Sequence, residues 1–243
     1  MHIALQGVTK TFGRIKALDG FDLDVPPSSI IALVGENGAG KSTLLRILAG
    51  ISVPDQGMVL YDSIIFDREN MDLRKRLHFV PDMPLLFQDQ SVARNIATFA
   101  ALYGKTLEGR GEEFGAWLED IGCTPLMKRE AGKLSRGQMW KTGLACVAAI
   151  EPELWLADEP FASGMDEIGM AAYRRLARHL VAKGSTVIYT TQMVSMAAAF
   201  SDYVCVIRDG KVAMLAESPR LRTYLDSDPD GSEKILLGIL PAL

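Results

Sequence analysis

The sequence has few cysteines, almost no net charge and no long apolar run, and each of these excludes something. Its three cysteines, Cys123, Cys146 and Cys205, are widely separated and have no Cys-x-x-Cys spacing. An odd, scattered set does not make a disulfide framework. It reads as reduced thiols packed as small apolar residues, which points to a cytoplasmic compartment. Lys and Arg number 26 against 30 Asp and Glu, so the net charge is −4. This balance excludes a broad basic surface and leaves only a local basic strip, so no nucleic-acid partner is expected. The longest uncharged run, Gly184 to Ser201, contains several Thr, Ser and Gln residues and divides into a strand-like and a helix-like part. It does not read as a membrane span, so action at a membrane requires another chain to supply the membrane part. Met1 to Gln6 shows no basic region followed by an apolar stretch, and no signal peptide is expected. There is no internal repeat or low-complexity tract, and Gly and Pro stand at ordinary levels, which excludes collagen-like and disordered classes.

What is present suits a globular α/β protein. At 243 residues the chain falls between one and two domains. A chain of this size buries roughly 70–75% of its unfolded surface and needs no disulfide or metal to hold it. Residues 3–8 and 21–25 read as strands, and the second alternates apolar with polar, which predicts one wet face. The uninterrupted apolar run Ile30 to Val34 suits a strand buried on both faces. Strand-like runs recur at 154–157, 186–189 and 204–207, with a helical pattern from Tyr173 to Leu180 between the first two. Strand–helix–strand alternation implies a parallel sheet with right-handed crossovers. Residues 83–150 are helical in pattern, with Phe114, Trp117, Leu118 and Ile121 at i, i+3, i+4 and i+7. A turn at 227–231 precedes a short apolar end, Ile235 to Leu240.

Two segments carry chemistry. Gly35-Glu36-Asn37-Gly38-Ala39-Gly40-Lys41-Ser42 fits G-x-x-x-x-G-K-[ST], with a buried strand before it and a helix through Thr43 after it. Glycines let backbone N–H groups close around a polyphosphate without Cβ clashes, and the positive end of the helix faces the same anion. Lys41 is placed to neutralise β- and γ-phosphates, and the Ser42 hydroxyl to ligate Mg²⁺. The second segment is Leu154-Trp155-Leu156-Ala157-Asp158-Glu159, an apolar strand ending in two carboxylates. Active groups collect at the carboxyl ends of parallel strands. Asp158 is expected to hold Mg²⁺, directly or through water, and Glu159 to polarise the attacking water.

Between these segments, Leu134-Ser135-Arg136-Gly137-Gln138 resembles the L-S-G-G-Q signature of ABC ATPases. With the two motifs above, the chain resembles a nucleotide-binding subunit of an ABC transporter over residues 3–225. The resemblance implies a P-loop NTPase with a RecA-like, mostly parallel sheet, an antiparallel β subdomain and a helical insert. It divides a single ABC ATPase domain, 1–243, into an α/β core (1–82 and 151–225), a helical subdomain carrying the signature (83–150) and a tail (226–243). It implies ATP and Mg²⁺ as cofactors, a head-to-tail second ATPase domain, and a transmembrane permease that holds the protein at the inner face of the membrane. Ser135, Gly137 and Gln138 would cap the ATP bound to the partner cassette. Arg136 replaces the first glycine of the signature pair, and either adds charge near that γ-phosphate or points outward. Phe12 matches the aromatic that stacks on adenine. Ser163-Gly164-Met165-Asp166 matches the dimer-contact loop, one residue later than the commonest spacing from Asp158.

Two positions depart from the family pattern. Asp82 stands in Phe79-Val80-Pro81-Asp82 where the family has a loop Gln, with the prospect of ligating Mg²⁺. Gln192 stands where the family has a switch His, and His2, His78 and His179 all lie elsewhere and read as surface or packing residues. Both departures raise the expectation of slow hydrolysis. The segment Ser91-Val92-Ala93-Arg94-Asn95-Ile96, the run ending Ala101-Leu102-Tyr103-Gly104 and the L-S-R-G form of the signature are similar to ABC-2-type exporter ATPases. The apolar stretch Met83 to Phe87 would receive the coupling helix of the permease, or else pack into the core.

Overall fold

The structure is a computed structural model that describes residues 1–162 and 164–239. The chain opens with a long hairpin, β1 (Ile3–Phe12) and β2 (Ile15–Val25), paired antiparallel and turning at Gly13-Arg14. Both strands run well past the expected segments because mixed polar residues continue the ladder. Along the end of β2, Phe21, Leu23 and Val25 are buried while Asp22 and Asp24 are exposed, the one wet face that the alternation predicts. Then follow β3 (Ile30–Val34), α1 (Lys41–Leu48), β4 (Gln56–Tyr61), β5 (Ile64–Ile65), α2 (Met71–Arg74) and β6 (Leu77–Val80). Three longer helices come next: α3 (Val92–Leu102), α4 (Gly111–Ile121) and α5 (Arg136–Ile150). The chain returns through β7 (Leu154–Ala157), α6 (Glu167–Ala182), β8 (Thr186–Thr191), α7 (Val194–Phe200), β9 (Tyr203–Arg208) and β10 (Lys211–Glu217), and ends in α8 (Ser218–Ser227) and α9 (Gly231–Leu236).

Two sheets result. One is antiparallel, in the order β2-β1-β4-β5. The other runs β10-β9-β3-β8-β7-β6, parallel from β9 to β6 with β10 antiparallel at its edge. All five residues of β3 are buried, as the apolar run predicts. Ile30, Ala32 and Val34 face the helical side of the core, and Ile31 and Leu33 face the side shared with the antiparallel sheet. Each Ile or Leu so buried contributes about 1.5–3 kcal/mol. Strands β4, β5, β6 and β10 were not legible in the sequence: β5 has two residues and β6 four, too few to show a period.

Phe114 and Ile121 of α4 are buried, and Trp117 and Leu118 pack half-buried beside them. Every residue of α5 from Trp140 to Ile150 is buried, because this helix is covered by α3, α4 and α6. All three cysteines are free and buried, and burial pushes the Cys123 thiol up to about 11 and that of Cys205 to about 12, as suits packing residues. The run Gly184 to Ser201 divides into β8 and α7, and among the described residues no helix is long and apolar enough to cross a membrane. The parallel topology brings the ends of β3, β6, β7 and β8, and so residues 35, 82, 158 and 192, to one edge of the sheet.

Candidate active site

At that edge lies a cleft of about 390 Å³ lined by Asn37, Gly38, Gly40, Lys41, Ser42, Thr43, Asp82, Asp158, Glu159 and Gln192, together with Ala17, Arg46 and Ala162. The loop that forms its floor requires glycine at Gly40, which adopts φ 108°, where a Cβ would come within 2.3 Å of the Ala17 carbonyl oxygen. The Lys41 side chain is 5% exposed, and its Nζ donates to the Gly35 carbonyl at 2.8 Å and to the Glu36 carbonyl at 3.0 Å. It lies 3.6 Å from Glu159 Oε1. Gly35 and Ala39 belong to the loop but not to the cleft wall.

Ser42, Asp158, Glu159 and Thr190 form one network. The Ser42 hydroxyl donates to Asp158 Oδ1 at 3.0 Å, and Thr190 Oγ1 donates to the same oxygen at 2.7 Å. The Glu159 N–H donates to Thr190 Oγ1 at 2.8 Å. Ligands at 2.0–2.1 Å around an octahedral Mg²⁺ stand about 3 Å apart when adjacent, so the Ser42 and Asp158 oxygens have the separation of two neighbouring ligands of one ion. Burial raises the Glu159 carboxyl above the ordinary carboxylate value; the Lys41 ammonium opposes this, while the Asp158 and Asp82 charges add to it. Such a carboxylate is a better proton acceptor than an exposed one. Thr190 was not singled out in the sequence. Its only signal is register: β7 and β8 are parallel with Ala157 opposite Tyr189, so residue 190 comes level with Asp158.

Asp82 lines the cleft. Arg136 takes neither expected course: its guanidinium turns into its own chain and Nη2 donates to Asp82 Oδ1. Gln192 donates from Nε2 to Asn37 Oδ1 at 2.9 Å, joining the end of β8 to the phosphate loop. Phe12 lies outside the cleft wall and is 53% exposed, with Lys10 Nζ 5.6 Å from its ring centroid.

The signature residues form a separate surface. Ser135 caps α5: its Oγ accepts from the Gln138 N–H at 3.3 Å while Gln138 Oε1 accepts from the Ser135 N–H at 3.1 Å. Ser135, Gly137 and Gln138 line a hollow with Gly164 and Asp166, apart from the phosphate loop. A Cβ on Gly137 would stand 2.4 Å from the Gly164 carbonyl oxygen. Lys141 Nζ donates to Asp166 Oδ2 at 2.7 Å, tying α5 to the loop before α6. Ser163 of the expected contact loop lies outside the described residues, as does Leu240 of the tail.

Within the segment Met83 to Phe87, Pro84, Leu85 and Leu86 border an apolar groove of about 220 Å³ with Ile51, Phe99, Tyr103 and His78. Met83, Leu85 and Phe87 are exposed. Asn95, fully buried, holds this segment: Oδ1 accepts from the Phe87 N–H at 2.8 Å and Nδ2 donates to the Phe87 carbonyl at 3.0 Å. His78 is a packing histidine, its Nδ1 2.7 Å from the Tyr103 hydroxyl.

The family model described as ABC transporter matches residues 18–162. The probable multidrug ABC transporter ATP-binding protein YbhF of Escherichia coli (strain K12) is 33% identical over 245 residues, covering 96% of this chain and 42% of that protein. The Fe(3+) ions import ATP-binding protein FbpC of Mesorhizobium japonicum is 34% identical over 223 residues, covering 90% of this chain and 61% of that protein. The chain thus spans under two thirds of both relatives. The solved ATP binding subunit of an ABC transporter superposes with a TM-score of 0.87 at 20% identity, covering 98% of this chain and 100% of that one, a likeness of fold. Other solved cassettes include a dimeric one. The chain belongs to the ABC transporter family. ATP-binding domains of that family are ATPases that use ATP with Mg²⁺, and this chain is one such domain.

Proposed function

We propose that the chain is the ATP-hydrolysing subunit of a transporter whose membrane-spanning part is a separate permease, working as a pair of cassettes on the cytoplasmic face, and that the transporter exports. The convergence of Lys41, Ser42, Asp158 and Glu159 on one cleft carries the hydrolytic part of this reading. Lys41 and the loop N–H groups hold the phosphates. Ser42 and Asp158 hold Mg²⁺, which when bound neutralises charge on the phosphate oxygens. Glu159 orients the water and takes its proton, and Gln192, bridged to Asn37, donates toward the γ-phosphate. Ser135, Gly137 and Gln138 face the nucleotide of the second cassette, from the 83–150 subdomain. Phe12, exposed outside the cleft wall, stacks on adenine.

Pairing with a permease is supported by the apolar groove that the exposed Leu85 borders and by the exposed Met83 and Phe87 next to it in the chain, since exposed apolar surface of this kind marks a docking site. Export rests on the similarity of residues 91–104 and of Leu134-Ser135-Arg136-Gly137 to ABC-2-type ATPases; the relatives carry both multidrug and import names. A second reading, a weakly hydrolysing regulatory cassette, is favoured by Asp82 and Gln192 in place of Gln and His. Single-turnover hydrolysis by the purified chain, with Lys41→Ala as control, separates the two: turnover lost in the variant supports the motor, and none in either protein supports the regulator. Co-purification of a polytopic membrane protein, and transport by the pair in oriented vesicles, tests the partner and the direction.

A further inference from the structure

The residues at two unusual positions of this chain, Asp82 and Arg136, touch each other. Asp82 follows β6 and Arg136 is the first residue of α5. Each is unfavourable alone. The first turn of a helix favours negative charge, and α5 carries a guanidinium there and no acid. The cleft wall holds three carboxylates, Asp82, Asp158 and Glu159, against two cations, Lys41 and Arg46, an excess of one negative charge before any polyphosphate enters. Together they compensate: Arg136 Nη2 donates to Asp82 Oδ1 and brings the balance to zero. One turn along the same helix, Trp140 Nε1 donates to the Asp82 backbone carbonyl at 2.8 Å. Asp82 is therefore held by its side chain and its main chain from one face of α5.

We propose that Arg136 is a positioning residue for the hydrolytic site: it aims and neutralises Asp82, so that a carboxylate is tolerated at 82 beside the nucleotide phosphates. This deepens the reading of the cleft as an Mg²⁺–ATP site and rests on it. Without Arg136, Asp82 repels the incoming phosphates. The pair also links the helix that carries the signature to the cleft of the same chain. Movement of α5 thereby reorients Asp82.

The test is a double-mutant cycle in the full chain, with Arg136→Gly, Asp82→Gln and the double replacement. Hydrolysis of Mg²⁺–ATP is measured as kcat and KM, beside thermal midpoints. Arg136→Gly should lower kcat/KM about five- to tenfold, chiefly through a raised KM for Mg²⁺–ATP. The double replacement should recover to within about twofold of the parent in both constants. Arg136→Lys should retain most of the activity, and Arg136→Gln, which keeps the helix propensity, should behave like Arg136→Gly. If the effects of the single replacements multiply in the double, or KM is unchanged in Arg136→Gly, the pairing role is overturned. The underlying site reading fails in a different way: the parent chain would not hydrolyse ATP, and Lys41→Ala would bind a fluorescent ATP analogue as tightly as the parent does.

Discussion

The Ser42 hydroxyl donates to Asp158 Oδ1 at 3.0 Å, joining the phosphate loop to a carboxylate 116 residues away. Thr190 Oγ1 holds the same oxygen from the other side. Ser42→Ala should therefore leave Asp158 in place while removing one Mg²⁺ ligand. The expected result is a Mg²⁺ requirement raised about tenfold or more with ATP binding largely retained, read from hydrolysis across a Mg²⁺ titration. Thr190→Val should weaken the site by another route, since it frees both Asp158 and the Glu159 N–H.

Glu159→Gln keeps the shape of the side chain and removes the proton acceptor. Hydrolysis should fall by roughly 10²–10⁴-fold while ATP binding persists. An ATP-stabilised dimer should then appear on size exclusion. Normal turnover with monomer throughout would contradict the paired-cassette reading. Because burial raises the Glu159 carboxyl, its acidic limb in the parent should lie above the ordinary carboxylate range.

Gly137 has a steric reason to be glycine that differs from the expected anion contact. An added Cβ would meet the Gly164 carbonyl oxygen at 2.4 Å, and a backbone atom does not yield as a flexible side chain does. Gly137→Ala should cost about 1–3 kcal/mol, seen in denaturant unfolding, by forcing α5 away from the loop that precedes α6.

His78 should make the fold acid-sensitive. Burial lowers its pKa to about 4 from the model-peptide value of 6.5. The unfolded chain takes up this proton first, so stability is fully present above about pH 6.5 and falls as pH drops towards 4. By pH 5 the loss from this group is on the order of 2 kcal/mol. His78→Phe should lack it, so the gap between its thermal midpoint and that of the parent should change in its favour between pH 7 and pH 5. A gap that does not change with pH would mean that His78 is protonated in the fold.

The sequence by itself determined the parts of the site made from contiguous chain. The cradle of Gly35 to Ser42 needs only local backbone freedom at glycine, a positive charge and the start of a helix. The Asp158-Glu159 pair needs only a short apolar strand that stops. Both are governed by short-range sterics and can be read residue by residue. Tertiary structure alone decided which distant groups meet. Thr190 reaches Asp158 because β7 and β8 are in parallel register, and Arg136 finds Asp82 across 54 residues because α5 packs against the end of β6. It also placed Phe12 outside the cleft wall and set the signature surface apart from the phosphate loop. Long-range register and helix packing depend on the whole core at once, and no local pattern encodes them.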